Sequence, residues 1–200
     1  DRKERPDFRT WTEVEARARR AAGALSAAGV RPGERVALIL PTHLDFFDAF
    51  LGAQILGAVP TPLYPPLRLG RLDEYFEKTV AMLKAAGAVT LVVDARVKRV
   101  IGRVLDAWSP RCGVLDVETL HTHSAWTGAG PGADDLAMVQ FSSGTTVDPK
   151  PVSLTHQQVL ANARAIQNAL MTAWPEEGFR HAGVSWLPLY HDMGLIGFVL

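Results

Sequence analysis

Short apolar runs alternate along this chain with longer segments of helical periodicity, and this alternation restricts the possible folds most strongly. The run VALIL (36–40) is apolar at every position and ends at Pro41, which is typical of a strand buried on both faces. Further strands are predicted from Val59 and over 89–93, 113–117, 138–141 and 183–189, and helices over 12–28, 43–57, 71–86, 96–107 and 156–171. We therefore expect an α/β fold with a mainly parallel sheet flanked by helices.

The first predicted helix carries clear start and stop signals. Thr12 and Glu15 have the T-x-x-E spacing of a capping box, in which each side chain satisfies a free backbone N–H. Gly29 is placed to end the helix in a left-handed conformation. Apolar residues recur between these points at steps of four and three, namely Val14, Ala18, Ala21, Leu25 and Ala28. This spacing predicts one buried helix face.

The overall composition excludes several classes of protein. Lys plus Arg and Asp plus Glu each number 21 in the 200 residues, so the net charge does not favour nucleic acid or an anionic membrane as the main partner. The N-terminal DRKERPDFRT lacks the apolar stretch of a signal peptide. The single Cys112 cannot form an internal disulfide. These features predict a cytoplasmic globular protein without a membrane span.

A turn rich in hydroxyl groups follows the predicted strand 138–141. Ser142, Ser143, Thr145 and Thr146 surround Gly144, and Lys150 follows six residues after that glycine. Closely spaced N–H and O–H donors with one cation suit a polyphosphate group. The carboxyl ends of strands in open α/β sheets are common ligand sites. The alternative is an ordinary surface turn, because Ser, Thr, Gly and Pro are normal turn residues.

The stretch WLPLYHDMGLIG (186–197) places a histidine beside an aspartate at a predicted strand-to-helix junction. Adjacent side chains on an extended chain point in opposite directions, so we do not expect His191 and Asp192 to form a direct dyad. Asp192 is expected to stabilise the first turn of the helix. Gly194 and Gly197 fit either close helix packing or close approach of a ligand. His121 and His123 lack an evident third ligand, so no metal site is predicted.

The turn at 142–151 resembles the nucleotide-binding loop of the adenylate-forming enzymes, whose pattern is roughly [ST]-S-G-[ST]-T-G-x-P-K-G. Eight of the ten positions agree, and Val147 and Pro151 stand where the family usually has glycine. We expect these two residues to make the loop stiffer than is usual in the family. The stretch 186–197 resembles a second shared motif, in the form typical of fatty acyl-AMP ligases. The proline-rich segment 57–75 is similar to one common in the same subfamily.

The resemblance implies the fold and the reaction of that family. Residues 1–200 would form part of the large N-terminal AMP-binding domain, with the C-terminal domain absent from this chain. The implied reaction joins a fatty acid to ATP with Mg²⁺, releasing pyrophosphate, and passes the acyl group to an acyl carrier protein in polyketide or nonribosomal peptide synthesis. Lys150 and His191 are the implied catalytic residues. Ser142, Ser143, Gly144, Thr145, Thr146 and Lys150 would bind the nucleotide, and His191 and Gly194 would contact the substrate.

Two other functions remain compatible with the sequence. The protein could be an acyl-CoA ligase, in which free CoA accepts the acyl group. It could also be a non-catalytic module that binds a carrier or a synthase, with Val147 and Pro151 marking a degraded nucleotide loop. The family resemblance implies that further functional segments lie after Leu200. These are the adenine-binding and metal-binding segment and the catalytic lysine of the C-terminal domain. We therefore expect residues 1–200 alone to be inactive.

Overall fold

The computed structural model describes residues 7–66, 72–142, 149–173 and 182–197. The strands in these ranges are β1 (Arg35–Ile39), β2 (Val59–Leu63), β3 (Ala88–Val93), β4 (Val114–Asp116), β5 (Leu136–Phe141) and β6 (Pro151–Thr155). The helices are α1 (Trp11–Ala27), α2 (Asp45–Leu56), α3 (Leu72–Ala86), α4 (Ala95–Lys98), α5 (Gly102–Ala107), α6 (Val117–Leu120), α7 (His156–Ala173) and α8 (Asp192–Leu195). None of the described helices is both long and apolar enough to cross a membrane.

Four strands form a parallel sheet with helices on both faces, in the order β2-β1-β3-β4. Successive side chains of a strand point to opposite faces, and β1 shows the consequence. Val36 and Leu38 belong to a buried cluster with residues of α1 and α2. Ala37 and Ile39 belong to a second cluster with residues of α3 and α5. The predicted α/β fold with a flanked parallel sheet is confirmed.

Strand β2 contains Pro60 and Pro62, which cannot donate a backbone hydrogen bond. It lies at the edge of the four-stranded sheet, where prolines are tolerated. The Val59 N–H donates to the carbonyl of Glu34 at 2.8 Å, so the non-proline positions maintain the pairing with β1. The proline-rich segment therefore begins as a strand at this edge.

Strands β5 and β6 form a separate antiparallel hairpin, in which Phe141 is opposite Pro151. The sequence analysis did not predict β6, and it placed the hydroxyl-rich turn between a strand of a parallel sheet and a helix. That placement was wrong, because the turn connects two antiparallel strands. Strand β6 consists mostly of exposed residues, so it lacks the apolar run by which the buried strands were found.

Helix α1 begins at Trp11, one residue earlier than predicted, and its N-cap lies two residues earlier than predicted. The capping box is formed by Thr10 and Glu13 rather than by Thr12 and Glu15. The Glu13 N–H donates to Thr10 Oγ1 at 3.2 Å, and the Thr10 N–H donates to Glu13 Oε2 at 2.7 Å. Both pairs fit the T-x-x-E pattern, so the pattern alone could not distinguish them. Gly29, with φ of 91°, has the left-handed conformation predicted for the end of this helix.

Two other sequence predictions are corrected by the structure. The predicted helix over 96–107 is divided into α4 and α5, and the Asp94 side chain caps α4 by accepting from the Val97 N–H at 2.7 Å. The predicted strand over 183–189 is not formed, and Val184 and Trp186 are largely exposed. An apolar run becomes a strand only when a neighbouring strand pairs with it, and the described residues supply none here.

Candidate active site

Side-chain hydrogen bonds hold three segments together near the carboxyl end of β1. Thr42 follows β1, and its Oγ1 accepts a hydrogen bond from the Leu189 N–H at 3.2 Å. Gln140 in β5 donates from Nε2 to the carbonyl of Tyr190 at 3.1 Å. The stretch 186–197 is thereby attached both to the parallel sheet and to the hairpin. The two motifs singled out in the sequence consequently lie next to each other.

The ends of the hydroxyl-rich turn are brought together by the hairpin. The Ser142 N–H donates to the carbonyl of Lys150 at 3.0 Å, which extends the pairing one residue beyond Phe141 and Pro151. Both Ser142 and Lys150 are exposed. Among the residues that the structure describes, Lys150 has no ion-pair partner. Its ammonium group and the Ser142 side chain are therefore accessible at the base of the turn.

The other predicted nucleotide-binding residues, Ser143, Gly144, Thr145 and Thr146, lie outside the described residues. Their arrangement around a phosphate group stays a prediction. The same holds for the stiffness expected from Val147.

His191 is the N-cap of α8, and the chain bends there from an extended into a helical conformation. His191 Nδ1 and Asp192 Oδ1 lie 3.3 and 2.8 Å from the Met193 nitrogen, so both side chains are directed at the first turn. As a result His191 Nδ1 lies 2.5 Å from Asp192 Oδ1. The expectation that the two side chains point apart was wrong, because it assumed that the extended conformation continues through Asp192. The expected role of Asp192 at the helix start is confirmed.

Gly194 lies where α8 approaches the backbone of the preceding segment. A Cβ atom at this position would lie 2.3 Å from the Pro188 carbonyl oxygen, which is far inside van der Waals contact. The glycine therefore permits close packing of α8, one of the two roles considered for it. Contact between Gly194 and a substrate stays a prediction.

Gln140 and Thr42 were not identified in the sequence analysis. Gln140 Oε1 is buried and has no hydrogen-bond partner among the described residues, so a donor group would fit beside it. Burial raises the pKa of the neighbouring Tyr190, so its hydroxyl stays protonated. The sequence offered only one signal for Gln140 and Thr42, which is their polarity. Gln140 interrupts the apolar strand LAMVQF, and Thr42 follows an apolar run.

The described residues do not form a metal site. They contain no group of three or more His, Cys, Asp or Glu side chains arranged to hold a metal ion.

The fold and these motifs define a member of a known enzyme class. The sequence model of the AMP-binding enzyme family matches residues 4–200, so the chain belongs to that family. It is 34% identical over 194 residues to the long-chain-fatty-acid–AMP ligase FadD32 of Mycobacterium marinum. The aligned residues cover 95% of this chain and 29% of the relative. The resemblance noted in the sequence is thus confirmed.

Solved structures show the same fold. One chain, from a study of the fatty acyl-adenylate ligases of E. coli and L. pneumophila, superimposes with a TM-score of 0.83 and 30% identity, covering 97% of this chain and 34% of the other. The L. pneumophila ligase in complex with acyl adenylate and pyrophosphate gives a TM-score of 0.79 and 28% identity, covering 98% and 33%. The present chain therefore spans about a third of the length of the proteins it matches.

Proposed function

We propose that this chain is the part of a fatty acyl-AMP ligase that carries the phosphate-binding loop and the acyl-adenylate motif. The proposed reaction joins a fatty acid carboxylate to ATP and releases pyrophosphate. The observation that carries this proposal is the link between Gln140 and Tyr190. Gln140 lies two residues before Ser142 at the base of the turn, and Tyr190 directly precedes His191. Both motifs of the family can therefore act on one bound molecule.

The chemistry requires negative charge to be stabilised on both sides of the α-phosphorus. A carboxylate oxygen forms a bond to that phosphorus as the bond to the pyrophosphate oxygen breaks, so charge accumulates on the leaving group. The exposed Lys150 ammonium offsets charge on the phosphate chain, and the Ser142 hydroxyl donates a hydrogen bond. Ser143, Gly144, Thr145 and Thr146 are assigned to the same phosphate-binding role by the family pattern.

His191 is assigned to the acyl end of the reaction. Its Nδ1 faces the start of α8, and its side chain is 44% exposed. This orientation leaves the other edge of the imidazole available to the acyl carboxylate and the α-phosphate. Gly194 is proposed to line the substrate side of the same short helix.

The relatives support the choice of substrate. FadD32 is named a long-chain-fatty-acid–AMP ligase, and a structural relative was solved with acyl adenylate and pyrophosphate. We propose a fatty acid and ATP with Mg²⁺ as the substrates, an acyl carrier protein as the acceptor, and the cytoplasm as the location. Residues 1–200 are proposed to be part of the N-terminal adenylation domain of a longer protein.

The test is ATP–pyrophosphate exchange dependent on fatty acid, measured with the longest native chain that contains these residues. We expect Lys150→Ala to lower the exchange rate by roughly 100- to 1,000-fold, as for the loss of one group that stabilises the transition state. The matched control is Lys84→Ala, which removes the same charge from an exposed position on α3. It should retain the wild-type rate.

Two outcomes would contradict parts of the proposal. Absence of exchange in the folded wild-type protein would favour the non-catalytic module. Transfer of the acyl group to free CoA rather than to a carrier protein would replace the proposed acceptor but keep the adenylation step.

A further inference from the structure

The order of strands in the parallel sheet reverses beside β1. From β1 the chain passes through α2 to β2 on one side, and it then returns through α3 to β3 on the other side. Helix α2 follows β1 and packs in one buried cluster, whereas α4 and α5 follow β3 and pack in the other. The helices after these two neighbouring strands therefore lie on opposite faces of the sheet. In open α/β sheets, ligands bind in the crevice outside the carboxyl ends of the strands at such a point.

A cavity of about 410 Å³ lies at this point. Its walls include Leu40 and Pro41 after β1, Asp94 after β3, and Val117 and Glu118 after β4. The volume falls within the range of roughly 300–1,000 Å³ that is usual for small-molecule sites. Of the candidate active-site residues that the structure describes, none lines it. The cavity is therefore formed by other side chains than those of the candidate active site, and Pro41 and His43 place it next to Thr42.

Two arginines supply the positive charge of the cavity. Arg96 and Arg99 line it and are exposed, and neither has a carboxylate partner among the described residues. They stand three positions apart at α4, so they lie on the same side of this helical turn. The neighbouring Lys98 differs, because its Nζ is paired with Asp116 Oδ2 at 2.8 Å and it does not line the cavity. The cations available to a ligand are thus the guanidinium groups.

The carboxylates in the wall each retain an unused oxygen. Asp94 Oδ1 accepts from the Val97 N–H at 2.7 Å, and Glu118 Oε1 accepts from the Ala95 N–H at 3.0 Å. The second oxygen of each carboxylate remains available as a hydrogen-bond acceptor. A third carboxylate, Asp45, is already paired with arginines from outside the cavity.

We propose that this cavity binds a small phosphate monoester that also carries hydroxyl groups, such as a sugar phosphate. Arg96 and Arg99 bind the phosphate, because the planar guanidinium group matches phosphate oxygens in a bidentate manner. Asp94 and Glu118 accept hydrogen bonds from the hydroxyl groups. The two free arginines balance the two carboxylates, so a ligand that combines an anion with hydroxyl donors fits better than a bare anion does.

Calorimetric titration with ribose 5-phosphate tests the proposal. Arg96→Gln and Arg99→Gln should each raise the Kd roughly 10- to 100-fold, as expected for losing a charged hydrogen-bonding group. Lys98→Gln removes the same charge from the same helix outside the cavity, and it should change the Kd by less than about twofold, as for a single exposed ion pair. Inorganic phosphate should bind more weakly than ribose 5-phosphate, and ribose alone should not bind.

Several results would overturn the proposal. Equal losses in all three variants would show a general attraction to a basic surface. Lack of saturable binding by the wild-type protein would show that the cavity does not bind this ligand. Equal affinity for inorganic phosphate and ribose 5-phosphate would show that Asp94 and Glu118 do not contact the hydroxyl groups. ATP–pyrophosphate exchange should be unchanged in Arg96→Gln and Arg99→Gln, so failure of this proposal can be distinguished from failure of the proposed ligase activity.

Discussion

Helices α1 and α7 have similar lengths but very different environments. Of the 17 residues of α1, six are buried, and its small side chains allow close contact with α2. Of the described side chains of the 18-residue α7, only Val159 is buried, while Leu160 and Leu170 are about half exposed. An amphipathic pattern thus predicts that a helix forms, but its burial depends on a partner surface.

The same contrast extends to the regions that contain these helices. The region 9–120 contains the parallel sheet and most residues of the two buried clusters. The region 136–197 carries the hairpin, α7 and the motif around His191, and it contributes five buried residues to the first cluster. The residues proposed to act on ATP and the acyl group belong to the less buried region. We therefore expect the region 9–120 to determine the stability of the described chain. The region 136–197 is expected to carry the reactive groups beside it.

The largest expected difference between the regions is in the response to losing a large side chain. Phe50 is fully buried and stacks on Phe46 with ring centroids 5.7 Å apart, so Phe50→Ala should lower the free energy of unfolding by about 3–5 kcal/mol. Leu160→Ala on α7 should lower it by less than about 0.5 kcal/mol, as at ordinary surface positions. Urea unfolding of both variants measures the difference. Similar losses would show that α7 is as important for stability as α2.

A smaller effect is expected where the second region is itself tightly packed. In Gly194→Ala the new methyl group would meet the Pro188 carbonyl, so we expect a loss of about 1–3 kcal/mol, as in other overpacked sites. Gly130→Ala is the matched control, because no atom lies within 4 Å of its added Cβ. In Gly194→Ala, both the Tm of thermal unfolding and the rate of ATP–pyrophosphate exchange should fall. A normal Tm with impaired exchange would instead favour direct substrate contact at Gly194.

The contrast between the regions also explains what could be predicted from the sequence. VALIL and the other buried runs predicted the parallel sheet, because strands covered on both faces must be apolar throughout. Strand β6 was missed because its pairing with β5, rather than its own pattern, makes it a strand. The family pattern pointed to Ser142, Lys150 and His191, whose roles at the site stay predictions. Thr42 and Gln140 could not be found in this way, since their roles arise from hydrogen bonds between segments distant in the sequence.

The smallest expected effect concerns the charges that connect α1 to α2. Asp45 is paired with Arg9 and Arg17. Burial acts to raise the pKa of Asp45, but the hydrogen bond and charge of Arg9 outweigh it, and the pKa is lowered overall. A carboxyl whose pKa is lowered by folding stabilises the protein above its unfolded pKa of about 3.9 and loses this contribution as the pH falls further.

Acid should therefore weaken the junction between α1 and α2 through Asp45. We expect the wild-type protein to lose on the order of 1 kcal/mol more stability than Asp45→Asn does between pH 6 and pH 3, as for one charged hydrogen bond. Urea unfolding at both pH values measures this difference, since the amide cannot take up the proton. Between pH 6 and pH 3, the protection of the α1 and α2 amides from hydrogen exchange should fall more in the wild type than in the variant, whereas the change in β5 and β6 should be the same in both proteins. Equal acid sensitivity of wild type and Asp45→Asn would mean that apolar packing alone joins the two helices.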